Sequence, residues 1–285
     1  MGPAVADQGA RWQRIAAGGD PGGETPDAGA APDREVVLAV QGLSHEYGDG
    51  PVLRGVELQV RAGEIVALLG RDGAGKSTLL RCAAGWTRPA EGETYVLGRR
   101  VARADRRTRA YVVLVPDTPV FWDDLTLAEH LQFVAQAHRR PPSDWRPEAE
   151  GLLARLGLAG RADGLPGAGA RGLRQKAALA MALVAQPRVL LLDEPLAPLD
   201  PASARDCWAL LRERAAGGLA VLMACNGLPP GAVPDRYAVL AHGRVAAGGT
   251  PGELARRFGL AEVSPETLLA LTAGPPVSGG APGHG

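Results

Sequence analysis

Lysine is nearly missing from this chain. Of its 31 basic residues, only Lys76 and Lys176 are lysine and the rest are arginine. Glycine, alanine and proline are abundant, so an isolated Gly or Pro is weak punctuation, while a lysine carries more weight. No apolar run approaches the roughly 18 residues of a membrane-spanning helix, which excludes a span of that kind. Residues 1–34 hold no apolar core and no periodicity, so they read as a disordered tail rather than a secretory leader. An excess of one charge is also lacking. With 31 acidic residues against 31 basic ones, a nucleic-acid binder relying on a broad basic surface is disfavoured. Cysteine is scarce and odd in number. Cys82, Cys207 and Cys225 have no motif spacing, so a disulfide framework is not indicated. They read as free thiols in a reducing compartment, or as small buried apolar residues. Finally, no serine or threonine occurs between Leu152 and Val184.

What is present alternates between two periods. "EVVLAV" and "PVLRGVELQV" predict antiparallel strands near 35–60. "EIVALLG" (64–70) is a short apolar run followed at once by glycine-rich sequence, as a buried strand would be. "KSTLLRCAAG" (76–85) predicts a helix, and "RAYVVLV" (109–115) another buried strand. Residues 119–186 change to helical spacing, in "DDLTLAEHLQFVAQAHRR", "RPEAEGLLARLGL" and "LRQKAALAMALVAQ". Strands return at "RVLLLD" (188–193), "LAVLMA" (219–224) and "YAVLAHGRVAA" (237–247), with a helix near 203–215. Residues 259–285 are expected to be a mostly disordered tail around a short Leu-rich stretch. The alternation predicts an α/β fold with a largely parallel sheet, whose ligands sit at the carboxyl ends of the strands.

Two motifs carry chemistry. "GRDGAGKST" fits G-x-x-x-x-G-K-[ST] directly between a strand and a helix. Gly70, Arg71, Asp72, Gly73, Ala74, Gly75, Lys76, Ser77 and Thr78 would form a loop whose N–H groups cradle phosphates. Lys76 would place a charge on the β- and γ-phosphates, and the Ser77 hydroxyl would bind Mg²⁺. "VLLLDEP" (189–195) is an apolar strand with two carboxylates at its exit. Asp193 would hold the metal directly or through water, and Glu194 could take a proton from an attacking water.

Over about 36–258 this combination resembles the nucleotide-binding subunit of ABC transporters, most of all the single-domain ATPases of bacterial exporters. The resemblance implies a RecA-like P-loop NTPase core with an antiparallel β subdomain and an inserted helical subdomain over about 119–186. It implies ATP and Mg²⁺ as ligands. As partners it implies a separate transmembrane permease and a second ATPase subunit, identical or related, and no nucleic acid. The chain would be cytoplasmic and peripheral on the membrane's inner face. Tyr47 falls where the family stacks an aromatic on adenine. Leu199 and Asp200 match the loop that touches the partner subunit, and 245–254 matches the C-terminal sheet edge and helix.

Three sites depart from the family pattern. Asp117 replaces a glutamine, or sometimes glutamate, that contacts Mg²⁺ or water. Asn226 replaces a histidine that contacts the γ-phosphate, and His242 lies too far along the chain to restore it. Gly169, Ala170, Arg171, Gly172 and Leu173 occupy the signature motif, of which "RGLRQKAALA" matches the Leu-Ser-Arg-Gly-Leu variant. The signature leucine is Gly169, and the hydroxyl is lost at Ala170. The helix would start without a side-chain cap because its N–H groups meet a phosphate held by the other subunit. Two functional readings stand: an ATPase that drives export through a separate permease, or an ATP-binding, weakly hydrolysing half of an asymmetric pair. A third class, ABC-like proteins acting on ribosomes or DNA, is disfavoured by the single domain and balanced charge.

Overall fold

The structure is a computed structural model that describes residues 34–48, 50–101 and 106–272. Among them are ten strands: β1 (Val36–Tyr47), β2 (Gly50–Arg61), β3 (Ile65–Leu69), β4 (Glu91–Val96), β5 (Arg99–Arg100), β6 (Val112–Val115), β7 (Val189–Asp193), β8 (Ala220–Cys225), β9 (Arg236–Ala241) and β10 (Arg244–Gly249). The helices are α1 (Lys76–Ala83), α2 (Arg106–Arg109), α3 (Leu127–Ala137), α4 (Pro142–Arg155), α5 (Arg171–Val184), α6 (Pro201–Ala216), α7 (Pro251–Phe258) and α8 (Pro265–Thr272).

The strands form two sheets. The larger has the order β10-β9-β3-β8-β7-β6. Its members from β9 to β6 run parallel, and β10 pairs antiparallel at the edge. The smaller sheet, β2-β1-β4-β5, is antiparallel throughout. The period of two decides which core each side chain enters. Ile65, Ala67 and Leu69 of β3 face one apolar cluster, shared with α3–α6. Val66 and Leu68 face the other, shared with α1 and the antiparallel sheet. β7 and β8 alternate in the same way. The central strands are thus buried on both faces, which is why they read as continuous apolar runs.

The helices α3, α4 and α5 follow β6 and precede β7. Thr126 caps α3 in a reciprocal box with Glu129, which satisfies two otherwise unpaired backbone N–H groups. α4 begins at Pro142, four residues before the predicted start at Arg146. Pro is pre-organised for the first helical position, and Trp145 is buried in the core.

Four expectations are corrected. "YAVLAHGRVAA" is two strands rather than one. His242 (φ 50°) and Gly243 (φ 75°) are both left-handed, the backbone of a two-residue hairpin turn. The strand predicted over 109–115 is confined to Val112–Val115, because Arg106–Arg109 is a helical turn. The C-terminal segment is ordered as far as Thr272: α8 packs against the larger core with Leu268 1% exposed. At the other end, Arg34 is placed, with Nη1 donating to the Gly63 carbonyl at 2.7 Å. The remaining disorder expected for 1–33 and for 273–285 lies outside the described residues. Among those described, no helix is long and apolar enough to cross a membrane.

Candidate nucleotide-binding site

β3 is buried at all five positions and delivers the chain to Gly70 at its carboxyl end. A Cβ at Gly70 would lie 2.7 Å from the Leu240 carbonyl oxygen, so the turn needs a glycine there. Gly75 has φ 102° and stands at the N-cap of α1 without any side-chain cap. A Cβ on it would lie 2.9 Å from Leu53 Cδ2. The first N–H groups of α1 are therefore left free of side-chain partners, the condition for receiving an anion. Lys76 is 7% exposed. Its Nζ donates to the Gly70 carbonyl at 2.6 Å and to Asn226 Oδ1 at 2.7 Å, and stands 3.5 Å from Glu194 Oε1.

The two carboxylates arrive from β7. Asp193, its last residue, is 4% exposed, and its carboxylate accepts from the Ser77 hydroxyl. Burial pushes its pKa above the usual carboxylate range, and the Ser77 hydrogen bond opposes the rise. Glu194 follows with φ 48°, a left-handed conformation that costs a non-glycine residue about 1–3 kcal/mol. Its N–H donates to the Ala224 carbonyl at 2.9 Å, and its Oε2 accepts from the Asn226 N–H at 3.3 Å. Burial also raises the Glu194 pKa, with the Lys76 charge acting against it.

These groups border one open cleft of about 390 Å³, lined by Tyr47, Val52, Arg71–Thr78, Asp117, Asp193 and Glu194. Nearly every candidate from the loop and strand ends is therefore on one wall or another. Tyr47 is 46% exposed at the end of β1, with its ring edge-on to His45 at 4.7 Å between centroids. Gly70 and Asn226 are not among the lining residues, but both accept hydrogen bonds from Lys76. Val52 of β2 completes the wall and carries no sequence signal, since it looks like any other alternating strand valine. Gly169–Leu173 are not part of this cleft. Ala170 is the N-cap of α5 with no side-chain hydrogen bond, so the start anticipated from the missing hydroxyl is bare in the fold. Arg171 Nη2 donates to Asp117 Oδ1 at 2.6 Å, an ion pair across 54 residues that no local pattern announces. Asp200 caps α6, accepting from the N–H groups of Ala202 and Ser203 at 3.0 Å.

A divalent cation fits this donor set in one manner only. Among the described residues there is no group of three acidic, His or Cys side chains able to cage a metal. The Ser77 hydroxyl and the buried Asp193 carboxylate, already in contact, are hard oxygen donors beside the cradle. That is the arrangement Mg²⁺ accepts, with few protein ligands and the rest from phosphates and water.

A glycine-rich loop, a buried lysine and two strand-end carboxylates on a mainly parallel sheet define a P-loop nucleotide-binding protein. Comparison with known proteins narrows this. Residues 53–197 match the family described as ABC transporter. The chain is 32% identical over 241 residues to the ABC-type transporter ATP-binding protein EcsA of Bacillus subtilis, covering 83% of this chain and 96% of that one. It is 33% identical to the Nod factor export ATP-binding protein I of Ralstonia nicotianae, over 80% of this chain and 70% of that one. It is 36% identical to the aliphatic sulfonates import ATP-binding protein SsuB of Pseudomonas putida, over 74% and 76%. A solved ABC transporter ATP-binding subunit superposes with a TM-score of 0.77 at 31% identity, covering 83% of this chain and 99% of that one. The chain belongs to the ABC transporter family as one of its ATP-binding subunits, an ABC ATPase.

Proposed function

We propose that this chain hydrolyses MgATP and uses the energy to drive transport through a permease carried on a separate chain. The observation that carries the reading is the convergence on Lys76. A nearly buried ammonium, an uncapped helix start, Glu194 and the Ser77–Asp193 pair all meet in one cleft. Tyr47 offers a ring for the base. The loop N–H groups and Lys76 bind and orient the phosphates. Ser77 and Asp193 would hold Mg²⁺, which when bound supplies charge neutralisation on the phosphate oxygens. Glu194, held by the Asn226 N–H and lifted in pKa by burial, orients a water and accepts its proton. We place Gly169–Leu173 against the nucleotide of a second ATPase subunit, identical or related, because they lie outside this chain's own cleft.

The permease contact is supported by exposed apolar side chains around α3. Val120 is 86% exposed, and Trp122 and Phe133 are each nearly half exposed, their rings 4.7 Å apart. Large exposed apolar groups in one region mark an interaction surface. For direction we propose export, on the motif resemblance and on the Nod factor export relative. The sulfonate import relative defines the opposite outcome. Phosphate release from MgATP, compared with K76A, tests hydrolysis: wild type at the K76A level would remove the ATPase reading. Substrate flux in inside-out vesicles carrying the permease decides the direction.

A further inference from the structure

Asn226 makes three hydrogen bonds, and their chemistry fixes which way its amide faces. An ammonium only donates and a carboxylate only accepts. Lys76 Nζ lies 2.7 Å from one amide atom, which must be Oδ1. Asp72 Oδ1 lies 3.1 Å from the other, which must be Nδ2. The backbone N–H of Asn226 donates to Glu194 at 3.3 Å. One side chain at the end of β8 therefore spans the tip of the phosphate loop and the lysine at its base. With Gly70 and Glu194 as the other two acceptors, each of the three Lys76 N–H donors has one.

We infer that Asn226 is a positioning residue, a brace that sets Lys76 and pins the Asp72 tip of the loop. One N–H of its amide is committed to Asp72 and its oxygen to Lys76, so the side chain ties two parts of the loop together. The brace needs an acceptor facing Lys76 and a donor facing Asp72 on one short, uncharged group. Asparagine meets all three conditions, and does so without titrating. This rests on the proposed nucleotide site.

The test is the Kd for a fluorescent ATP analogue in the presence of MgCl₂, with the melting temperature of each variant taken alongside. N226A removes the brace, and N226D leaves an acceptor for Lys76 but turns a carboxylate on Asp72. Both should weaken binding about tenfold, the loss expected for hydrogen bonds to charged groups. The swap D72N/N226D puts the amide on the loop and the carboxylate on β8, and should return to within about twofold of wild type as coupled groups do. D72A/N226D carries the same net charge without the loop amide and should stay weak. Recovery in both double variants would show that charge alone matters and would overturn the brace. So would N226A and N226D binding like wild type. If N226D fails to fold, N226A and the swap carry the test. Wild type binding no better than K76A would overturn the nucleotide reading and the brace with it.

Discussion

Glu194 sits in a backbone conformation that a glutamate does not choose, and the neighbours that hold it there are named. Its φ of 48° is fixed by the N–H bond to Ala224, and its carboxylate by Asn226 and Lys76. A general base contributes typically 10²–10⁴-fold. E194Q keeps the size and loses the proton acceptor, so it should lower kcat by roughly 10²–10³ while leaving the ATP Kd near wild type. Steady-state phosphate release and equilibrium binding on the same sample check the split. An unchanged kcat would remove Glu194 from the chemistry. The cysteines show the opposite, residues with no chemical role. All three are buried, and desolvation pushes their thiols up to about 11 at Cys82 and Cys207 and about 12 at Cys225. The thiolate is the reactive species. Native protein should therefore resist a thiol reagent at pH 7.5 and take up three equivalents only in denaturant, counted by absorbance. The lysine, the serine after it and the strand-end carboxylates were legible because each type is demanded by its chemistry at a fixed spacing. The Asp117–Arg171 pair was not, since residues 54 positions apart meet only through the fold.

At the scale of elements, helix starts decide most. α3, α6 and α7 each have a side-chain cap at Thr126, Asp200 and Thr250, whereas α5 starts at Ala170 with none. A serine cap is worth about 1 kcal/mol over alanine. A170S should raise the urea midpoint by the equivalent of about 1 kcal/mol, unless the free N–H groups already find partners within the chain, in which case stability will not move. The bare start was readable from sequence as a run without hydroxyls, and so were the buried strands, from their unbroken apolar character. Other elements were not. The β9–β10 hairpin hides its turn in His242-Gly243, because histidine is an uncommon residue at positive φ. α8 was missed because eight residues with three leucines give too little periodicity to separate a docked helix from a tail. Its order comes from packing Leu268 into the larger core, a tertiary effect.

At the scale of the whole molecule, the helical insertion is tied to the core by charge as well as by apolar contact. Glu148 of α4 is the hub. It accepts from Arg140, from Arg214 of α6 at 2.9 Å and from Gln186 at 3.0 Å, with its side chain 11% exposed. Arg140 Nη1 also donates to the Val184 carbonyl at 2.9 Å, so the end of α5 joins the same knot. At the last residue of α4, Arg155 pairs with Glu213 of α6, but here the side chains are 42% and 59% exposed. The two links join the same pair of helices and differ mainly in burial. Breaking a buried charge network by removing one partner costs about 3–5 kcal/mol, because the remaining charges are left unpaired. An exposed pair is worth about 0–1 kcal/mol. E148A should therefore destabilise by about 3 kcal/mol in urea unfolding, against less than about 1 kcal/mol for E213A. Raising the salt concentration should shrink the E213A effect and leave most of the E148A effect, since screening acts on exposed charges. If both substitutions cost the same and fade together in salt, the insertion is held by its apolar face alone, and Glu148 is no hub. If E148A instead unfolds α3–α5 before the sheets, seen as an early loss of protection in hydrogen exchange confined to residues 127–184, the insertion is a separable cooperative unit that this one carboxylate joins to the core.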